Sequence, residues 1–150
     1  MNNPYKVSEV RLSYKTKPEK PEKVRVNCPA DCYRVFMSHW EKGQIEHKES
    51  FRMLLLNQAN VVLGIYKISE GGISDTSIDI RIIMQAVLLA NATSIVLAHN
   101  HPSGNKTPGY GDIEVTKMIK EAARIMSINV YDHIIVCKDR FYSFADKGIL

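Results

Sequence analysis

No stretch of this 150-residue sequence approaches the roughly 20 unbroken apolar residues that cross a bilayer, which excludes a helical transmembrane protein. The N-terminus, MNNPYKVSEVRL, lacks an apolar signal segment, so a cytoplasmic location is expected. Cysteine is scarce and odd in number, at three. Cys28 and Cys32 form C-x3-C, Cys137 is far away, and no second Cys or His pair follows at finger spacing. Reduced thiols are expected, not a disulfide framework or a structural zinc finger. Nucleotide and esterase signatures are missing too: there is no G-x-x-x-x-G-K-[ST] and no G-x-S-x-G.

What is present is ordinary globular material, 45% hydrophobic and 24% charged. One domain is expected, large enough to bury roughly 68–70% of its unfolded surface. The net charge of +4 is concentrated in KTKPEKPEKVR, residues 15–25, which holds Lys15, Lys17, Lys20, Lys23 and Arg25. Such a strip could meet phosphates, but Glu19, Glu22 and two prolines interrupt it and no aromatic residue is interleaved for base stacking. It reads as a solvated connector. The organisation expected is an N-terminal strand and basic connector over 1–26, then a single folded unit over 27–150.

Along the chain, Val10, Leu12 and Tyr14 alternate as in a half-buried strand. A helix follows from Asn27 or Cys28, with Pro29 in its first turn, Cys32, Val35, Phe36 and Trp40 at helical spacing, and Gly43 at its end. The runs 49–56 and 61–68 flank Asn57-Gln58-Ala59-Asn60 as a hairpin, and Gly71-Gly72 breaks the pattern. Asp79 caps a helix over about 80–90 with Ile83, Val87 and Ala90 inward, and Asn91 stops it. Ser94–Ala98 is a central strand buried on both faces. After a Gly/Pro/Asn loop, Asp112 opens a helix with Val115, Met118, Ile119, Ala122 and Met126 on one face. Strands over 129–137 and 141–144 close the chain. The fold class is α/β, a mixed sheet with flanking helices and hairpins at both sheet ends.

The chemistry is concentrated in AHNHPSGNKTPGYGD, residues 98–112. In extended chain, residues i and i+2 point the same way, so His99 and His101 can converge on one cation while Asn100 points away. Asp112, at a helix start, can swing back as a third ligand. Three protein ligands leave a fourth position for water, the mark of a catalytic zinc site. The alternative is two histidines capping a strand and bonding loop carbonyls. A base must come from outside the loop: Glu49 leads into a core strand, with Glu46, Glu70 and Glu114 as competitors. Ser103 either supports the site or simply makes a turn. Asp132-His133 reads as structural, since neighbouring strand residues face opposite sides. The consecutive His-Asn-His does not make an HNH nuclease, whose named residues are spread along a ββα finger.

AHNHPSG, Pro108 and Asp112, with DHIIV and FYSFADKG, resemble the RadC family of JAMM (JAB/MPN-type) metalloprotease domains. The resemblance covers nearly the whole chain, including V-x-L-x-Y, E-S-F-x-x-L-L-L-N and I-S-E-G-G-I, and is nearest to short members without a helix-hairpin-helix module. It implies the cytidine deaminase-like sandwich of JAMM domains and one Zn²⁺ per chain. By the family motif, His99, His101 and Asp112 are the zinc ligands, and the upstream Glu is Glu49, the general base. The implied reaction is zinc-assisted hydrolysis of a peptide or isopeptide bond in a family labelled DNA repair. One position departs: the motif Ser, thought to steady the oxyanion, falls on Gly109. Losing such a donor typically costs about 2.7–4 kcal/mol, or 10²–10³ in rate, so metal binding is expected to survive better than turnover.

The competing function is a metal-stabilised, weakly catalytic or non-catalytic module that binds DNA or a repair or mobile-element protein. Edge-to-edge self-association through the N-terminal strand has no motif behind it.

Overall fold

A computed structural model of the chain describes Val7, residues 23–71 and residues 78–150. The strand expected at Val10, Leu12 and Tyr14, the basic segment before Lys23, and Gly72 lie outside the described residues. The order of elements is α1 (Pro29–His39), β1 (Ser50–Leu56), β2 (Val62–Glu70), α2 (Ile80–Leu89), β3 (Ser94–Asn100), α3 (Tyr110–Ile125), β4 (Asn129–Val136) and β5 (Phe141–Ser143).

Local chemistry sets most of these boundaries. Cys28 is the extended N-cap of α1 and Pro29 takes its first position, where a missing N–H leaves no hydrogen bond unmade. The Asn57 side chain accepts from the amides of Ala59 and Val61, and Asn60 adopts φ 58°, which closes the β1–β2 hairpin. Asp79 caps α2 by accepting from the Arg81 amide at 2.9 Å, and Asn91 ends it with φ 53°. Cys28, Cys32 and Cys137 are free thiols, and burial pushes Cys32 up to about 12.

The strand order is β2-β1-β3-β4-β5. Only β3 and β4 run parallel, and α3 connects them; the other pairings are antiparallel. Alternation of side chains then sorts two cores. Phe51, Met53, Leu55, Ile95 and Leu97 pack against Ile83 and Val87 of α2 and Ile119 and Ala123 of α3. Leu54, Leu56, Val96, Ala98, Ile134 and Val136 pack against Cys32 and Phe36 of α1 and against Trp40. The result is three layers: α1, the mixed sheet, then α2 with α3.

Two expectations about α3 need correction. It begins at Tyr110 with Gly109 as N-cap, so Asp112 sits in the first turn and does not open the helix. Its buried residues are Thr116, Ile119 and Ala123, while Met118 and Met126 are 57% and 39% exposed. The inward face is thus set by Thr116, Ile119 and Ala123, and the methionines fall outside it. Ala90, expected inward on α2, is only partly buried and follows the helix as its C-cap.

Arg52 is an unforeseen element of the α1 layer. Its buried guanidinium stacks 4.3 Å over Trp40, donates to the His39 carbonyl at 2.9 Å and pairs with Glu41. It therefore ties the end of α1 to β1. We expect Arg52→Ala to lose about 2–3 kcal/mol of stability, read by urea unfolding; a loss below 0.5 kcal/mol, roughly the surface-substitution range, would show this tie to be idle.

Candidate metal centre

The apolar run of β3 occupies both cores, so polar chemistry surfaces only at its C-terminal end. His99 continues the row of Ile95 and Leu97 toward the α2–α3 layer and is fully buried. Phe51, its partner across the strand, lies parallel to its ring at 5.8 Å. Asn100 turns to the other face. Its amide donates to the carbonyls of Ile45 at 2.7 Å and Lys48 at 2.9 Å, and its oxygen accepts from the Ser50 amide at 2.8 Å. It clamps the segment before β1 onto the end of β3.

His101 comes back to the side of His99, and their Nε2 atoms are 2.8 Å apart. The Nδ1–H of His101 donates to the Asn105 carbonyl at 2.6 Å. A carbonyl can only accept, so the neutral ring presents a lone pair at Nε2. Ser103 is exposed and accepts from the Asn105 amide at 3.3 Å, a turn contact that props the carbonyl orienting His101. The two readings of Ser103 thus meet in one interaction.

Asp112 reaches both histidines from the first turn of α3: Oδ1 lies 3.1 Å from His99 Nε2 and Oδ2 lies 3.4 Å from His101 Nε2. Oδ2 also accepts from the Gly109 amide at 2.6 Å, which fixes the carboxylate over the helix N-terminus. Burial alone would raise this carboxyl, but the close His101 and His99 imidazoles, with the Gly109 amide, hold it far below the ordinary carboxylate range. The same contact with Asp112 raises His101, and the Glu49 carboxylate adds to that rise.

The ligand atoms of His99, His101 and Asp112 all lie within 4.8 Å of one another. Around a tetrahedral zinc at about 2.0–2.2 Å, ligand atoms stand about 3.3–3.6 Å apart. The two imidazole–carboxylate spacings approach that range, and the imidazole pair is somewhat closer. His99 is enclosed, whereas the His101 and Asp112 side chains keep 18% and 20% of their surface in solvent. One side of the cluster is open to an incoming molecule.

Glu49 is partly buried immediately before β1. The register pairs Phe51 with His99, and the Ser50 amide meets Asn100 Oδ1, so Glu49 leads into β1 alongside the C-terminal end of β3. Of the other glutamates, Glu70 pairs with Lys48 and Lys67, Glu114 with Lys117, and Glu46 with Lys138. Gly109 has φ −80°, and its N–H is committed to Asp112. The nearest hydroxyls in the chain, Thr107 and Tyr110, are exposed on the loop and the first turn of α3.

Two residues of the cluster escaped the sequence reading. Asp132 and His133 do face opposite ways, and Asp132 is structural, accepting from Ser143 and from the amides of His133 and Ala145. His133, however, is fully buried against the site, with Nε2 2.8 Å from His99 Nδ1 and Nδ1 2.6 Å from Thr116 Oγ1. Burial and the neighbouring His99 hold it well below the ordinary imidazole value. Thr116 is the second.

A three-layer α/β sandwich with two imidazoles and a carboxylate at the end of its middle strand is the architecture of a JAB-type domain. Residues 26–149 match the model of the RadC-like JAB domain family, and the chain belongs to that family. It is 36% identical over 135 residues to a UPF0758 protein of Salinibacter ruber, covering 88% of this chain and 55% of the relative. A UPF0758 protein of Flavobacterium johnsoniae is 40% identical over 107 residues, 71% of this chain and 46% of the relative. One of Caldanaerobacter subterraneus is 37% identical over 127 residues, 85% and 53% respectively. The chain spans about half the length of the curated relatives it matches. Among the described residues, no helix is long and apolar enough to cross a membrane.

Proposed function

We propose that this chain is a JAMM-type, zinc-dependent hydrolase of a peptide or isopeptide bond. The observation that carries the reading is the convergence of His99 Nε2, His101 Nε2 and the Asp112 carboxylate within 2.8–3.4 Å. Two imidazole nitrogens and an anionic oxygen all present electron pairs to one point, an arrangement that a divalent cation relieves. The borderline N2O donor set suits zinc. His99, His101 and Asp112 would hold the zinc, which would supply Lewis-acid activation of a water and a carbonyl. Glu49, whose carboxylate acts on His101 electrostatically, would be the base that takes a proton from the attacking water and delivers it to the leaving amine. The substrate is a protein or peptide, approaching from the solvent-open side of His101 and Asp112.

Gly109 offers a direct test of the hydrolytic reading. A Cβ built there meets Asp112 Oδ2 at 3.5 Å, an ordinary contact, so serine fits. As an N-cap, serine also favours the helix by a few tenths of a kcal/mol. We expect Gly109→Ser to keep zinc and to raise turnover of a peptide or isopeptide panel, by up to about 10²–10³. No gain would show that this hydroxyl is not the missing oxyanion donor.

A second reading, a polyanion-binding module for DNA or a DNA-associated partner, is favoured by one feature. An open groove of about 690 Å³ at the C-terminal end of α3 is lined by Lys117, Lys120, Arg124 and Tyr131, with Glu121 offsetting one charge. Phosphate binding there would weaken steeply with salt. Absence of any DNA retardation at low salt would dismiss direct contact.

A further inference from the structure

We propose that Thr116 and His133 are positioning residues that form a one-way hydrogen-bond relay, holding His99 in the Nδ1–H tautomer so that its Nε2 lone pair faces His101 and Asp112. The inference rests on the metal-site reading for its purpose, but its hydrogen-bond logic stands on donors and acceptors alone. Thr116 Oγ1 lies 2.5 Å from the Asp112 carbonyl and 2.6 Å from His133 Nδ1. The carbonyl can only accept, so the single hydroxyl proton goes to it. Thr116 must then accept from His133, which places a proton on Nδ1 of that ring.

His133 is fully enclosed, and its ring nitrogens contact only Thr116 and His99 among the described hydrogen bonds. A cationic ring so enclosed, with no acid as partner, would be costly, so its Nε2 is a bare acceptor. His99 Nδ1, 2.8 Å away, is left as the donor. His99 Nε2 is thereby deprotonated and lies 3.1 Å from Asp112 Oδ1. The chain of contacts closes on itself: it starts at the Asp112 backbone and ends at the Asp112 side chain. Phe51 and Phe144 pack against the His133 ring at 5.2 and 4.6 Å and hold it in plane for both bonds.

Metal-ligating histidines usually donate their second N–H to a carboxylate, carbonyl or water. Here the acceptor is a neutral imidazole, which fixes the tautomer without adding negative charge to His99. A bound ion would therefore stay more electrophilic than one backed by a carboxylate.

The primary test is ¹⁵N NMR of imidazole-labelled, metal-free wild type, which reports the tautomers before any metal is added. We expect His99 and His133 both protonated at Nδ1 and bare at Nε2. A His99 protonated at Nε2 overturns the relay. The second test is Zn²⁺ affinity by chelator competition, with folding checked by thermal melting. Thr116→Val and His133→Phe should each weaken zinc 10–100-fold, and Thr116→Ser should restore wild-type affinity. Unchanged affinity in folded Thr116→Val overturns the relay. A wild type that binds no zinc sinks the hydrolase reading instead, and the tautomer measurement still decides the relay.

Discussion

Replacing Asp112 by alanine is expected to strip zinc from the protein. Wild type purified from metal-replete medium should carry about one zinc per chain, and Asp112→Ala and His99→Ala close to none. The loss should exceed the 10–100-fold typical of a ligand's outer partner, because these residues supply ligand atoms themselves. Asp112 is the sharper choice, since it belongs to neither hydrophobic core and its side chain keeps 20% of its surface in solvent. His99→Ala would leave a hole between Phe51 and His133, so its melting behaviour must be read beside its zinc content. Asp112→Asn adds a near-isosteric control that keeps an acceptor for the Gly109 amide while removing the charge. Binding also stabilises the folded state: a free metal concentration 100 times the dissociation constant contributes about 2.7 kcal/mol. For a domain of this size that corresponds to about 5–10 °C, so a chelator should lower the melting temperature of wild type by that amount and leave Asp112→Ala unmoved. Zinc-free wild type, or full zinc in Asp112→Ala, would end the metal reading.

The legible parts of this molecule are those decided within a few residues. The continuous run Ser94–Ala98 announced a strand covered on both faces, and β3 is covered by α1 on one side and by α2 and α3 on the other. Two hairpins flanking it followed from turn chemistry at Asn57–Asn60 and near Asp139-Arg140. His99 and His101 were conspicuous because imidazoles abruptly replace apolar residues two positions apart. What could not be read depends on register and on helix rotation. Leu97 pairs with His133 across the parallel β3–β4 ladder, and that pairing sets which face His133 shares. A local alternation rule separates Asp132 from His133 but cannot say which of the two looks toward the histidines. Thr116 was passed over for a related reason: a hydrophobic-face count gives weight to Met118 and Met126 and none to a threonine. The residue that opens α3 is also settled by contacts: Gly109 takes the cap, and the Asp112 carboxylate folds back over the turn to its amide.

Glu49→Gln separates chemistry from metal binding, and we expect it to abolish hydrolysis while leaving zinc in place. Glu49 precedes the strand that pairs with the histidine strand, and Asn100 pins that junction through the Ser50 amide and the Lys48 carbonyl. Its backbone carbonyl is also held by the Gly71 amide at 3.0 Å. The residue is therefore fixed by its neighbours, and exchanging one oxygen for an amide should disturb the fold little. Its negative charge contributes to the rise of His101, which puts it within electrostatic range of the cluster. Glutamine keeps the volume and one acceptor but has no basic oxygen, so the contribution of proton transfer, typically 10²–10⁴-fold, should vanish from the turnover of a peptide or isopeptide panel. Zinc content and melting temperature should match wild type. Glu46→Gln, Glu70→Gln and Glu114→Gln serve as controls for loss of a carboxylate elsewhere on the surface; each should retain wild-type turnover. If Gly109 makes the native rate too slow to follow, the same comparison in a Gly109→Ser background enlarges the signal without altering any ligand. Turnover unchanged in Glu49→Gln would move the base to another residue, and loss of zinc there would place Glu49 among the groups that hold the ion.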